Sequence, residues 1–155
     1  MATEYRLTLA GDIPLDVLAG VVAPEGVEES AVDGRPRVLS ADLSDRCGYT
    51  VSIHAGSHGY FEAEDSDGSM WEWEPERYVT IGFRLVKCES SDRATREMLA
   101  SVARVLDERP EDAALILDAD WLLLTRFSGT LRRHALSWWG VHGEDDRPVS
   151  SPPRT

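Results

Sequence analysis

Residues 4–10 alternate, with Tyr5, Leu7 and Leu9 on one side, the period-two signature of a half-buried strand. Gly11-Asp12 ends the run, and Asp12 is placed to cap a short helix with Pro14 in its first turn and Leu15, Leu18 and Val22 on one face. Residues 24–36, with Gly26, Gly34 and a proline at each end, read as a loop. Residues 38–43 and 49–54 predict two further strands, the second turning Tyr49, Val51 and Ile53 inward, and Gly56-Ser57-His58-Gly59 predicts a turn. Residues 60–64 and 71–74 form a hairpin around Asp65-Ser66-Asp67-Gly68-Ser69. In residues 77–87, Val79, Ile81, Phe83 and Leu85 alternate cleanly.

Residues 92–108 carry the strongest helical pattern. Met98, Leu99, Val102, Val105 and Leu106 make its apolar stripe, Arg93 and Glu97 pair across one turn as do Arg104 and Glu108, and Pro110 follows the end. Residues 113–117 and 121–127 are apolar runs joined by Asp118-Ala119-Asp120, a second hairpin that reads as central and buried. A last short helix is predicted over 130–139, and a polar, proline-rich, disordered tail over 143–155. Sequential hairpins with few crossovers predict the α+β class: one domain over 1–142, mostly antiparallel sheet, with two to three helices packed on one face.

Composition adds location and charge. No apolar run approaches the ~18–20 residues that span a bilayer, and residues 1–6 lack the basic and apolar regions of a signal peptide. Cys47 and Cys88 read as two free structural thiols. These features predict a cytoplasmic chain. Against 16 basic residues stand 28 acidic ones, a formal net charge of −12 that repels nucleic acid and anionic membrane and attracts basic partners. Residues 61–76 carry −7 of it, with seven acids (Glu62, Glu64, Asp65, Asp67, Glu72, Glu74, Glu76) and no base.

The acidic hairpin is the sharpest feature. Period two puts Glu62 and Glu64 on one face with Phe61 and Ala63 on the other, and Glu72 and Glu74 opposite Trp71 and Trp73. With the aromatic side buried, four carboxylates meet on the exposed side close to Asp65 and Asp67. Like charges directly opposite destabilise a hairpin by up to roughly 1 kcal/mol per pair, so stability alone would mix in Lys or Arg. Such a face would steer a basic partner, with Tyr60, Trp71 and Trp73 as candidate aromatic anchors, although core packing suits both tryptophans better. Charged edges also deter strand pairing, but lysine would serve equally and none occurs there.

Catalytic and metal motifs do not emerge. Asp65, Asp67, Gly68 and Glu74 fit four positions of a calcium loop, yet Ala63 occupies the first ligand position and the flanks read as strands, so a type I turn followed by glycine accounts for them. His54 and His58, four apart but without a helix, read as solvent-facing. Ser57 sits in Gly56-Ser57-His58-Gly59, which does not match the Gly-x-Ser-x-Gly nucleophile elbow, and no glycine-rich phosphate loop is present, so the sequence predicts no metal, no cofactor and no enzyme. A small hydrolase or ligand-binding domain with a carboxylate-lined pocket is the alternative, and a calcium-dependent module a third reading.

Five stretches, residues 4–12, 39–43, 71–78, 110–115 and 120–127, resemble the Sit-type immunity proteins, which protect a cell from a Sit lipoprotein toxin exchanged between neighbouring bacteria. Together they span about residues 4 to 140. The resemblance implies a stoichiometric inhibitor whose partner is a cognate toxin, here expected to be a basic nuclease domain. Tyr60, Glu62, Glu64, Asp65, Asp67, Glu72, Glu74 and Glu76 are the expected contact residues. The chain departs from the family pattern at Ser44 and Cys47, where aromatic residues are expected, and at Asp118-Ala119-Asp120, where the turn should contain glycine.

Overall fold

The computed structural model describes residues 3–30, 32–85 and 91–142. Among them, ten strands form one sheet with three helices: β1 (Thr3–Ala10), α1 (Leu15–Val22), β2 (Glu28–Ser30), β3 (Val38–Leu43), β4 (Tyr49–Ser57), β5 (Phe61–Glu64), β6 (Met70–Trp73), β7 (Arg77–Leu85), α2 (Ser91–Glu108), β8 (Ala113–Leu117), β9 (Trp121–Phe127), β10 (Thr130–Arg133) and α3 (Leu136–His142). The strand order is β2-β3-β4-β7-β1-β8-β9-β5-β6, with β10 also on β9. Every pairing is antiparallel except a single parallel bridge between Glu64 of β5 and Trp121 of β9. This is the expected α+β architecture, and residues 86–90 and the predicted tail lie outside the described residues, as does Cys88.

The alternation in the sequence sets the two faces of the sheet. Tyr5, Leu7 and Leu9 of β1, Tyr49, Val51 and Ile53 of β4, and Val79, Ile81, Phe83 and Leu85 of β7 all enter one core, with Cys47 buried and unpaired beside them. The helices close it: Leu15, Leu18 and Val22 from α1, Met98, Val102 and Val105 from α2, and Trp139 from α3. Burial of each such side chain stabilises the fold by roughly 1.5–3 kcal/mol. A smaller cluster of Ala63, Ala114, Ile116 and Leu122 forms separately, with Phe61, Trp71 and Trp73 packed against it. Ala114 and Ile116 alternate with Leu115, which enters the main core, so this second cluster lies on the other side of β8.

Four local expectations are corrected. Asp12 does not cap α1: Pro14 occupies that position without a side-chain cap, because the helix begins three residues beyond Asp12, whose carboxylate lies 3.6 Å from Arg77. Within the expected loop 24–36, Glu28–Ser30 pairs with β3 as an exposed edge strand. The predicted helix over 130–139 is a strand followed by a helix. Ser128 (φ 53°) and Gly129 (φ 81°) reverse the chain in two residues, bring Thr130 opposite Phe127, and return β10 along β9 before α3 starts. His54 is not a free surface histidine, since β4 runs on to Ser57 and half-buries it; burial first, then the nearby Arg6, lowers its pKa. The β8–β9 pair is central and buried as expected, save for Trp121 at its start, which is 45% exposed.

Candidate functional site

The β5–β6 hairpin is built by the turn that its sequence requires. Gly68 takes a left-handed conformation (φ 85°), its N–H donates to the Asp65 carbonyl at 3.0 Å, and the Asp65 N–H donates to the Ser69 carbonyl at 2.9 Å. That closure fixes the register: Glu64 opposite Met70, Ala63 opposite Trp71, Glu62 opposite Glu72, Phe61 opposite Trp73. Next to the turn the hairpin is tied to β9 by the Glu64 N–H, which donates to the Asp120 carbonyl at 2.7 Å.

The inner face is aromatic and packed. Ala63 is buried, while Phe61, Trp71 and Trp73 are half-buried against Ala114, Ile116 and Leu122. The Trp71 and Trp73 rings lie 6.2 and 5.3 Å from Phe127, and Phe61 meets Tyr78 edge-on at 5.0 Å. Such pairs contribute about 0.5–1.5 kcal/mol each beyond their area. Both tryptophans therefore serve the packing of the hairpin.

The outer face carries the carboxylates. Glu62 and Glu72 stand directly opposite each other, Glu64 lies between Met70 and Trp121, and Glu74 continues the row from Glu72. Among the described residues, none of these four makes an ion pair. Tyr60 lies on the same face and donates its hydroxyl to Glu62 at 2.8 Å. That bond, some burial, and the charges of Glu62, Glu72 and Glu74 push its pKa up to about 12. Tyr60, Met70 and Trp121 are 54%, 57% and 45% exposed, so apolar surface is interleaved with the acids.

Three of the predicted contact residues are engaged by neighbouring groups. Asp65 turns under the hairpin tip, where its Oδ1 lies 2.8 Å from His134 Nδ1 and accepts from the Ser66 N–H at 2.6 Å. Burial pushes against ionisation, but the Ser66 and His134 hydrogen bonds and the His134 interaction outweigh it and hold the carboxyl below its ordinary range. Asp67 accepts from the N–H and hydroxyl of Ser69 at 2.9 and 2.5 Å. Glu76, in the bend before β7, lies 3.1 Å from His58 Nδ1. Asp65 and Asp67 thus hold the turn while Glu74 lies beyond β6, and among the described residues no three of His, Cys, Asp and Glu gather as a metal site.

Sequence reasoning did not place His134, Thr125, Met70 or Trp121 at this site. The Ala135 N–H donates to Ser66 Oγ at 2.6 Å, so the hairpin tip is fastened beside His134 to the segment between β10 and α3. Ser128-Gly129, a dipeptide suited to a tight reversal, is the signal that would have brought His134 back toward the acidic hairpin. No comparable signal exists for Trp121, whose neighbour Glu64 is set only by the parallel bridge.

Two hollows lie away from the carboxylate face. One of about 350 Å³ is lined by residues including Asp107, Glu108, Arg109 and Arg126, and one of about 300 Å³ by residues including Asp12, Leu15 and Arg37. In the first, the Arg126 guanidinium already donates to the carbonyls of Leu106, Arg109 and Glu111 at 2.7, 2.5 and 2.8 Å, closing the end of α2. No helix among the described residues is long and apolar enough to cross a membrane.

No match to the chain was found among characterised proteins or among solved structures. Residues 3–143 match the family described as SitI3-like, as the five stretches of sequence led one to expect, and the chain belongs to that family.

Proposed function

We propose that this chain binds and neutralises a cognate toxin in the cytoplasm, stoichiometrically and without catalysis, through the outer face of the β5–β6 hairpin. The family points to an immunity protein and so to a toxin partner. The mode of binding rests on one observation: Glu62 and Glu72 are opposed across the hairpin, flanked by Glu64 and Glu74, in a segment without a single base. That arrangement weakens the hairpin, and a basic partner relieves the repulsion as it docks. The surface that fits is the phosphate-binding face of a nuclease, where carboxylates would occupy positions meant for the backbone of nucleic acid. Tyr60, Met70 and Trp121 supply apolar contact area between the charges.

Co-purification with the toxin encoded beside this chain tests the reading. A salt-sensitive complex is expected, weakened by at least roughly a hundredfold when Glu62 and Glu72 are both changed to Lys. A chain that does not bind that toxin, or that binds it equally well after charge reversal, removes the proposal.

A further inference from the structure

The sheet ends on β6, and the hairpin geometry shows which way its main-chain groups point. Asp65 and Ser69 form a hydrogen-bonded pair, so along the ladder Ala63–Trp71 and Phe61–Trp73 are bonded pairs while Glu64–Met70 and Glu62–Glu72 are not. The Glu64 N–H confirms this alternation on the β5 side, since it points away from β6 to the Asp120 carbonyl. On the β6 side the N–H and C=O of Met70 and Glu72 therefore point outward, and among the described residues no strand receives them.

We infer that the toxin docks by adding a basic extended strand to this edge, pairing with the main chain of Met70 and Glu72. The inference rests on the toxin-binding reading above and specifies its geometry. The edge is held ready for pairing: Trp71 and Trp73 pin β6 from the inner face, and the tip is fastened through Asp65 and Ser66, so little ordering remains to be done on binding. Charge selects the occupant. A second copy of the chain at this edge would set Glu72 and Glu62 beside an equally acidic strand, which like-charge repulsion opposes. A strand with Lys or Arg beside Glu72 and an apolar residue beside Met70 meets complementary groups on its outer side. The opposite edge of the sheet is different, because Glu29 of β2 is already neutralised by Arg37 at 2.7 and 3.0 Å. Acidic protection of β6 and recruitment of a basic strand are thus the same device seen by two partners.

Residue-resolved amide hydrogen exchange, on the free chain and on its complex with the toxin encoded beside it, tests the inference. Binding should slow exchange at the Met70 and Glu72 amides by at least about tenfold. Met70→Pro removes an outward N–H that the β5 ladder does not use and should bind roughly tenfold more weakly than Met70→Ala, which also loses the methionine side chain but keeps the donor. A melting curve checks that both variants fold, and the exchange measurement needs neither. If a complex forms and responds to charge reversal while the two amides exchange unchanged, the strand inference is overturned and the acidic-face reading stands. Protection already present in the free chain would mean that the chain itself covers this edge, and it too overturns the inference. If no complex forms, both fall together.

Discussion

His134 joins two distant hairpins, its Nδ1 lying 2.8 Å from Asp65 Oδ1 and its Nε2 2.9 Å from Thr125 Oγ1. An ionised carboxylate has no proton to give, so Nδ1–H donates to Asp65 and, in the neutral tautomer, the Thr125 hydroxyl donates to Nε2. The order of groups is that of a hydrolase relay, but Thr125 and His134 are only 4% and 3% exposed, leaving the hydroxyl no access to a substrate. The chain of bonds is a fastener for the acidic hairpin.

Asp65→Ala should therefore destabilise the protein by about 1–3 kcal/mol, the usual consequence of leaving a buried donor unmatched, measured by urea unfolding. The effect should depend on pH. Because the folded-state pKa of Asp65 is depressed, its contribution is complete above the unfolded value near ~3.9 and disappears as pH falls through the lower folded value. Wild type and Asp65→Asn should accordingly differ most near neutrality and converge in strong acid.

Tyr60 offers a direct report on the charge of the outer face. Its pKa of about 12 should fall toward the ordinary ~10 in Glu62→Gln, followed by the ultraviolet absorbance of the phenolate. The folded value is the raised one, so whatever stability the Tyr60–Glu62 bond contributes is present below about pH 10 and lost as pH rises toward the folded value. An unchanged titration curve in the variant would show that the bond and the acidic neighbours do not govern this group.

Glu72→Gln separates stability from binding. Removing one of two opposed carboxylates should raise the stability of the free chain by up to about 1 kcal/mol at low salt, while weakening its complex with the toxin. Thermal melts and titration calorimetry on the same preparation should move in opposite directions. Loss of both would mark Glu72 as a packing residue instead.

The β8–β9 turn stores strain that glycine would release. Asp118 (φ 51°) and Ala119 (φ 63°) both adopt left-handed conformations, and the Asp120 N–H closes the turn on the Leu117 carbonyl at 3.0 Å. Asp118 is compensated: its Oδ1 accepts from the Glu4 N–H at 2.9 Å. Ala119 has no such bond among the described residues, and Ala119→Gly should stabilise the fold by about 1 kcal/mol, raising the melting temperature by ~3–4 °C.

Much of this architecture can be read from period alone. Strong alternation in β1, β4 and β7 and the stripe of α2 identify those elements because each buries one face in a common core. Residues 130–139 read wrongly as one helix, because the decisive information is the two-residue turn before them. At the site, alternation alone sorted the outer acids from the inner aromatics. The diversion of Asp65 to His134 was not legible, because it depends on a contact 69 residues apart in the chain. Nor was the placement of Trp121 beside Glu64, which rests on one parallel bridge.

The two faces of the β5–β6 hairpin answer to different demands. Phe61, Ala63, Trp71 and Trp73 are fixed by what lies beneath them, whereas among the described residues Glu62, Glu64, Glu72 and Glu74 enter neither core cluster and make no ion pair. If a toxin is bound by the outer face, as proposed, recognition can be rewritten on one side of four-residue strands while the scaffold is inherited unchanged on the other. A lineage in which toxins diversify could follow each new toxin by editing alternate positions, without founding a new fold.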